Sequence, residues 1–303
     1  MPSFCSGILC WFIGFRVLLD LKKVLKSGFQ SHNAIYNLLV RATYVRHTDG
    51  FNDHSMMGNL FGVVAGLVSA QTLVNIEGVQ LSYEIAASDA NAHGKTLFAT
   101  HLWQGSLVVA RHLITMEKNA VEGAIIVELG AGAGIPSMVA MSLGANKVLA
   151  TDFPALEVLA TLRRNLTRHA SSLERQGAFR VMPLEWGSCE VSRLLAFTEE
   201  ASFDVALVAE CLWKHDQHSA LLHSLHSLLR KGGVAFVAYS HHIPNLEAAD
   251  DSFFTLAESS AFGFRVESST HSYTVPSQWN DVIETNICCK DGKALAIFIY
   301  CRY

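Results

Sequence analysis

The chain has 303 residues, half of them hydrophobic, which suffices for one large domain or two modest ones with a sizeable core. Its formal net charge of -4 lacks the basic footprint of a nucleic-acid-binding protein and is compatible with a basic protein or a small amine as partner. Seven cysteines, an odd number with no CxxC pair and no metal-ligand spacing, read as reduced, mostly buried thiols of an intracellular protein, expected in the cytoplasm.

Residues 1–70 read as an N-terminal extension, and 71–303 as one α/β domain expected to act as a monomer. Within the extension, Phe4 to Phe15 is an apolar run closed by Arg16. It is shorter than the roughly 20 residues a membrane-spanning helix needs. No Lys or Arg precedes it and no small-residue cleavage site follows, which argues against a signal peptide. Residues 4–19 keep two readings, a membrane-surface helix or a loosely packed extension, and the second is the simpler. Met56 and Met57 offer a later translation start that would remove the stretch.

From Gln71 the pattern becomes regular. TLVNIEGVQLSYEIAA alternates around Asn75 to Gly78 as a β-hairpin does. THLWQGS (Thr100 to Ser106) leads into LVVARHLITMEKN, whose apolar positions recur at helical spacing, with the helix ending before Glu122 and Gly123. Trp103 in this linker is either a plug for the sheet edge or a wall of a ligand pocket.

Ile125 to Pro154, IIVELGAGAGIPSMVAMSLGANKVLATDFP, is the stretch around which the rest is organised. A buried strand (Ile125 to Val127) is followed by Gly130, Gly132 and Gly134, then by an amphipathic helix from Pro136, then by a second strand ending at Asp152. Strand, glycine loop, helix and strand make a βαβ nucleotide-binding unit. Its glycines let backbone N–H groups approach a ligand, and the acid takes ribose hydroxyls.

Leu156 to His169 follows as an amphipathic helix whose basic side reads as a solvated face. Phe179 to Leu184 is a third strand, with Glu185-Trp186-Gly187 at its end, where the Trp186 ring either covers a flat base or packs in the core. Val205 to Ala209 is a fourth, stopped by Glu210-Cys211-Leu212-Trp213, so a carboxylate and an aromatic again stand at the C-terminal edge. Gln217 to Leu229 is helical, with Lys231-Gly232-Gly233 as its stop. Val234 to Tyr239 is a fifth strand closed by Ser240-His241-His242. Ser252 to Ser260 is a helix, and Phe264 to Glu267 and Ala294 to Tyr300 are strands. The alternation predicts a doubly wound, seven-stranded, mostly parallel sheet. No crossover helix is visible between Ser268 and Gly292, so the last strand is expected to enter antiparallel.

Glu128-Leu129-Gly130-Ala131-Gly132-Ala133-Gly134 resembles the ExGxGxG signature of seven-stranded S-adenosylmethionine-dependent methyltransferases. Ile135 stands where the GxGxxG of dinucleotide dehydrogenases wants Gly. LWQGSLVVARHL, LEWG, ECLWKHDQH, SHHIP and DDSFFTLAESSAFGFRVES resemble the nicotinamide N-methyltransferase-like group. That group includes fungal enzymes that methylate the N-terminus and a nearby lysine of translation elongation factor 1A. The resemblance runs from about His101 to Tyr303 and leaves the first 70 residues unmatched.

It implies a Rossmann-like fold with S-adenosylmethionine as cofactor. Gly130, Gly132 and Gly134 would cradle the methionine moiety with Glu128 beneath them, and Asp152 would hold the ribose. Trp186 would lie beside the adenine, and Trp103 would close the pocket. Glu210 and Trp213 occupy the acidic-x-x-aromatic position that meets the target amine, with Glu210 also bordering the cofactor. The elongation-factor branch tends to carry Asp where Glu210 stands and Asn near Lys214-His215.

The implied chemistry is displacement at a sulfonium, in which the protein aligns an unprotonated nucleophile. Glu210 would accept a hydrogen bond from the amine, and Trp213 would offer a ring face to its cation. His215, His241 and His242 either take up a proton or cap strand ends and face water, the second being the simpler reading. Four functions compete: a protein lysine or N-terminal methyltransferase, a small-molecule N-methyltransferase, a nicotinamide-dependent dehydrogenase and a non-catalytic binding module. The dehydrogenase lacks its motifs here, and the intact glycine loop with Asp152 argues against the binding module.

Overall fold

The computed structural model describes residues 71–87, 98–198, 202–243, 245–267, 273–274 and 295–302, the last two segments by backbone alone. The expectations for 1–70 and for Ser268 to Gly292 therefore fall largely outside the described residues. The chain opens with β1 (Thr72–Ile76) and β2 (Val79–Tyr83), an antiparallel hairpin. Ile76 pairs with Val79, so the turn is the two residues Glu77 and Gly78, both at positive φ (48° and 91°). Two left-handed residues match the twist of the flanking strands, and the Asn75 side chain accepts a hydrogen bond from Gly78 N.

The main sheet follows. α1 (Gln104–Thr115) and the short α2 (Lys118–Val121) lead to β3 (Ile125–Leu129), α3 (Ile135–Ser142), β4 (Lys147–Asp152), α4 (Leu156–Ser172) and β5 (Phe179–Pro183). The chain then continues through α5 (Val191–Leu195), β6 (Phe203–Ala209), α6 (His218–Leu228), β7 (Leu229–Tyr239) and α7 (Glu247–Glu258). It closes with β8 (Arg265–Glu267), β9 (Tyr273–Thr274) and β10 (Leu295–Arg302). The strand order is β5-β4-β3-β6-β7-β10-β8, with β9 also paired to β10. β3 to β7 run parallel, and β10 enters antiparallel against β7.

β3 is buried along its whole length because helices cover both faces of the sheet, which is why it reads as a continuous apolar run rather than an alternating one. Its side chains still sort by pleat. Ile126 joins Val148, Val205 and Phe236 beneath α1, α3 and α4, while Ile125, Val127 and Leu129 join Val208 and Val237 beneath α6 and α7. The strand order reverses between β3 and β6, and the crevice beyond the carboxyl ends of those two strands is where an open α/β sheet binds ligands.

Three local expectations change. The helix expected to run on until before Glu122 breaks at Met116 and Glu117, giving α1 and the separate α2. α6 ends at Leu228, and Gly232 and Gly233 lie inside β7, beside an irregularity in the β6–β7 register between Phe203 and Val205. A Cβ on Gly233 would stand 3.1 Å from Asp204 O and 2.9 Å from Arg230 O, so the glycine serves a bulge rather than a helix stop. The basic side of α4 is not simply solvated: Arg164 and Arg168 both reach the buried carboxylate of Glu84, just past β2. Asn165, between them, accepts from Glu84 N and donates to Glu84 O and to Ala133 O. One buried amide thus ties the hairpin to the glycine loop. Among the described residues, no helix is long and apolar enough to cross a membrane.

Candidate functional site

The loop after β3 is shaped by its glycines. Gly130, Gly132 and Gly134 have φ of 68°, 51° and 79°, a region costly for any residue with a Cβ. A Cβ on Gly130 would lie 2.7 Å from Cys211 Sγ, and one on Gly134 would lie 2.6 Å from Leu162 Cδ1, so both positions are closed by protein. A Cβ on Gly132 would meet nothing within 4 Å, so that glycine borders open space.

Two acids support the loop. Glu128 is buried in β3 and accepts from the backbone N and the hydroxyl of Ser137 in the first turn of α3, fixing the helix beneath the glycines. Burial pushes its carboxyl up to about 8, against the two Ser137 bonds, with nearby Asp152 adding to the rise. Asp152 ends β4 and accepts from Gly132 N at 2.7 Å through Oδ2 and from Phe153 N at 2.7 Å through Oδ1. Each oxygen keeps a further lone pair for a diol. Burial raises this carboxyl to about 6, opposed by those two backbone bonds.

The half-buried Trp186 sits beside the first glycine, its Cζ2 3.4 Å from where a Gly130 Cβ would be. Open space at Gly132, the residual acceptors of Asp152 and the flat Trp186 ring together fit a nucleoside carrying a methionine tail, as S-adenosylmethionine does.

Glu210 follows β6 at φ 56°, a strained conformation for a non-glycine residue, and is buried. Its Oε1 accepts from Gly105 N (2.8 Å) and Ser240 Oγ (2.9 Å). Its Oε2 accepts from Ser240 N (3.0 Å) and is bonded to His242 Nε2 (2.7 Å). Gln104 Nε2 also donates to Ser240 Oγ, so the start of α1 and the end of β7 close on this one carboxylate. Outside it runs a chain of rings. His242 lies 4.7 Å from Trp103, Trp103 lies 6.1 Å from Phe98, and Phe98 lies 5.1 Å from Trp213, each pair edge-on. Trp103 Nε1 donates to Phe98 O, so the ring is pinned as part of this rim.

The two halves meet at Cys211. Its Sγ lies against Gly130 and donates to Leu129 O, burial pushes its thiol well up, and the charges of Asp152, Glu210 and Glu128 all add to that shift. A second cluster stands apart. The buried Asp250 of α7 bridges His215 Nε2 (2.7 Å) and His241 Nδ1 (2.8 Å). These histidines are bonded to a carboxylate rather than left as caps facing water.

Gly105, Ser240 and Phe98 are not singled out in the sequence, and His242 carries two readings there, a proton acceptor or a solvated cap, of which the bond to Glu210 removes the solvated cap. Gly105 had a local signal, a glycine opening an apolar helix. Ser240 and Phe98 had none, and nothing local joined His242 to Glu210, because their partners come from other strands and helices. Among the described residues, no group of His, Cys, Asp and Glu is arranged to hold a metal ion.

A family model described as lysine methyltransferase matches residues 87–260. The chain belongs to the lysine methyltransferase family. Among similar curated proteins, the protein N-terminal and lysine N-methyltransferase EFM7 of Gibberella zeae is 29% identical over 194 residues, covering 60% of this chain and 69% of that one. Its Schizosaccharomyces pombe counterpart is 31% identical over 176 residues, covering 57% and 67%. A SAM-dependent methyltransferase-like protein from Streptococcus mutans shares the fold at TM-score 0.50 and 12% identity, covering 76% of this chain and 55% of that one. Of the functions open at the outset, the methyltransferase reading stands, with S-adenosylmethionine as methyl donor.

Proposed function

We propose that this methyltransferase moves a methyl group from S-adenosylmethionine to a protein lysine or N-terminal amine of the elongation-factor type, acting as a monomer in the cytoplasm. The observation that carries the reading is the adjacency of an open glycine cradle with a diol-ready carboxylate and, across Cys211, a second carboxylate rimmed by aromatic rings. The similarity to relatives named for N-terminal and lysine methylation supports a protein acceptor.

Bound S-adenosylmethionine supplies a methyl group on a sulfonium, already a good leaving group. The protein's own work is then to align and desolvate. Gly130, Gly132 and Gly134 over Glu128 form the floor for the methionine part, Asp152 accepts the ribose hydroxyls, and Trp186 and Trp103 flank the pocket. Glu210 and Trp213 define the acceptor end. A ring face such as that of Trp213 attracts the ammonium form of the incoming amine and holds its nitrogen at the rim.

The test is incubation with methyl-labelled S-adenosylmethionine in a cell extract lacking the enzyme. Label in one protein band is expected. Label confined to small molecules would replace the protein acceptor with a small amine.

A further inference from the structure

All four acceptor positions of Glu210 are filled from within the protein, by Gly105 N, Ser240 N, Ser240 Oγ and His242 Nε2. An ionised carboxylate offers about four lone-pair sites, so an arriving amine finds none free. The group at the rim is His242. Its side chain is 11% exposed, its ring stands against Trp103, and Glu210 engages only Nε2. A carboxylate that holds Nε2–H fixes the tautomer whose Nδ1 carries a lone pair. Nδ1 has no hydrogen-bond partner among the described residues. His215 and His241 differ, since both are spent on Asp250 and neither touches Glu210.

We propose that His242 Nδ1 is the base that takes a proton from the acceptor ammonium, and that Glu210 is the positioning residue that orients the His242 ring. This rests on the amine-methylation reading above. An N–H bond of the ammonium breaks, its proton goes to Nδ1, and its electron pair stays on nitrogen. That pair forms the new N–C bond as the C–S bond breaks, and the C–S pair remains on sulfur as a thioether. The product is a methylammonium, and the imidazolium, paired with Glu210, returns its proton to water.

The charges facing the ring are Glu210 at the end of β6 and Asp250 on α7. Burial lowers the basicity of His242, and the Glu210 hydrogen bond with both carboxylate charges outweighs it, so the ring titrates above its ordinary value of 6.5. Raising the proton affinity of the ring brings it closer to that of the ammonium it would deprotonate.

The experiment follows initial rates of label incorporation from methyl-labelled S-adenosylmethionine into extract protein across pH 5.5 to 10, alongside NMR titration of the histidine ring nitrogens. In His242→Gln, the rate at pH 7 should fall about 100-fold or more. The limb of the pH profile that coincides with the NMR midpoint of His242 should disappear, with cofactor affinity by calorimetry unchanged. In Glu210→Gln the His242 ring, still buried but without the carboxylate, should titrate below 6.5, whereas a ring merely released to solvent by lost packing would return to 6.5. A His242→Gln enzyme with wild-type rate and profile, or a His242 midpoint indifferent to Glu210→Gln, overturns the assignment. If wild-type protein labels no amine at all, the methylation reading itself falls and takes this one with it, whereas labelling by wild type and His242→Gln alike removes only the base.

Discussion

Gly105→Ala separates a helix-propensity effect from a site effect by its sign. Gly105 is the second residue of α1, where alanine ordinarily stabilises by about 0.5–1 kcal/mol. Here a Cβ would lie 2.7 Å from Glu210 Cγ, 2.7 Å from Oε1 and 2.8 Å from Cδ. Because Cγ is as close as the oxygen, turning the carboxylate about its own bond gives no relief, and the whole side chain must withdraw. Oε1 then loses its bonds from Gly105 N and Ser240 Oγ. Hydrogen bonds to a charged group contribute about 1.5–3 kcal/mol each, so losing two outweighs the propensity gain and leaves a net destabilisation of roughly 2–5 kcal/mol. Urea denaturation measures this directly, and methyl transfer should fall with it because His242 loses its anchored partner. A variant as stable as wild type or more so, with unchanged transfer, would refute the reasoning and show that Glu210 is not locked.

Asp152→Ala should weaken S-adenosylmethionine binding by calorimetry, and unchanged affinity would remove Asp152 as the ribose clamp. Because burial raises Asp152 to about 6, wild-type affinity should be flat above about pH 7 and fall by up to about tenfold per unit as pH drops below 6. The sign for the cofactor-free protein is opposite: a folded-state pKa above the ordinary 3.8 means stability declines as pH rises between about 3.8 and 6, visible as a falling urea midpoint once other titrations are compared in Asp152→Asn. Asn165→Ala orphans Glu84 N, Glu84 O and Ala133 O and should cost about 3 kcal/mol, near 6–12 °C in melting temperature. A loss below about 1 kcal/mol would mean the hairpin is not tied to the glycine loop through this amide.

The sheet, its parallel run and its antiparallel last strand were legible because each depends on local pattern. Apolar runs of strand length alternate with helical spacing, and the glycine loop carries its own backbone requirement at positive φ. The acids at Asp152 and Glu210 were legible for the same reason, since a carboxylate directly after an apolar run must fall at a strand's end. What those acids do was not legible. Asp152 and Glu128 find partners within the same βαβ unit, at Gly132 and Ser137, whereas Glu210 is held by Gly105 at the start of α1 and by Ser240 and His242 beyond β7. Likewise, the arginines of α4 read as a solvated face until Glu84 is brought beneath them from the hairpin, and Gly232-Gly233 reads as a helix stop until β6 lies alongside. Spacing along the chain carries period and turn chemistry. Which carboxylate meets which donor depends on the strand order, which sets β7 beside β6 and folds α1 back across their ends.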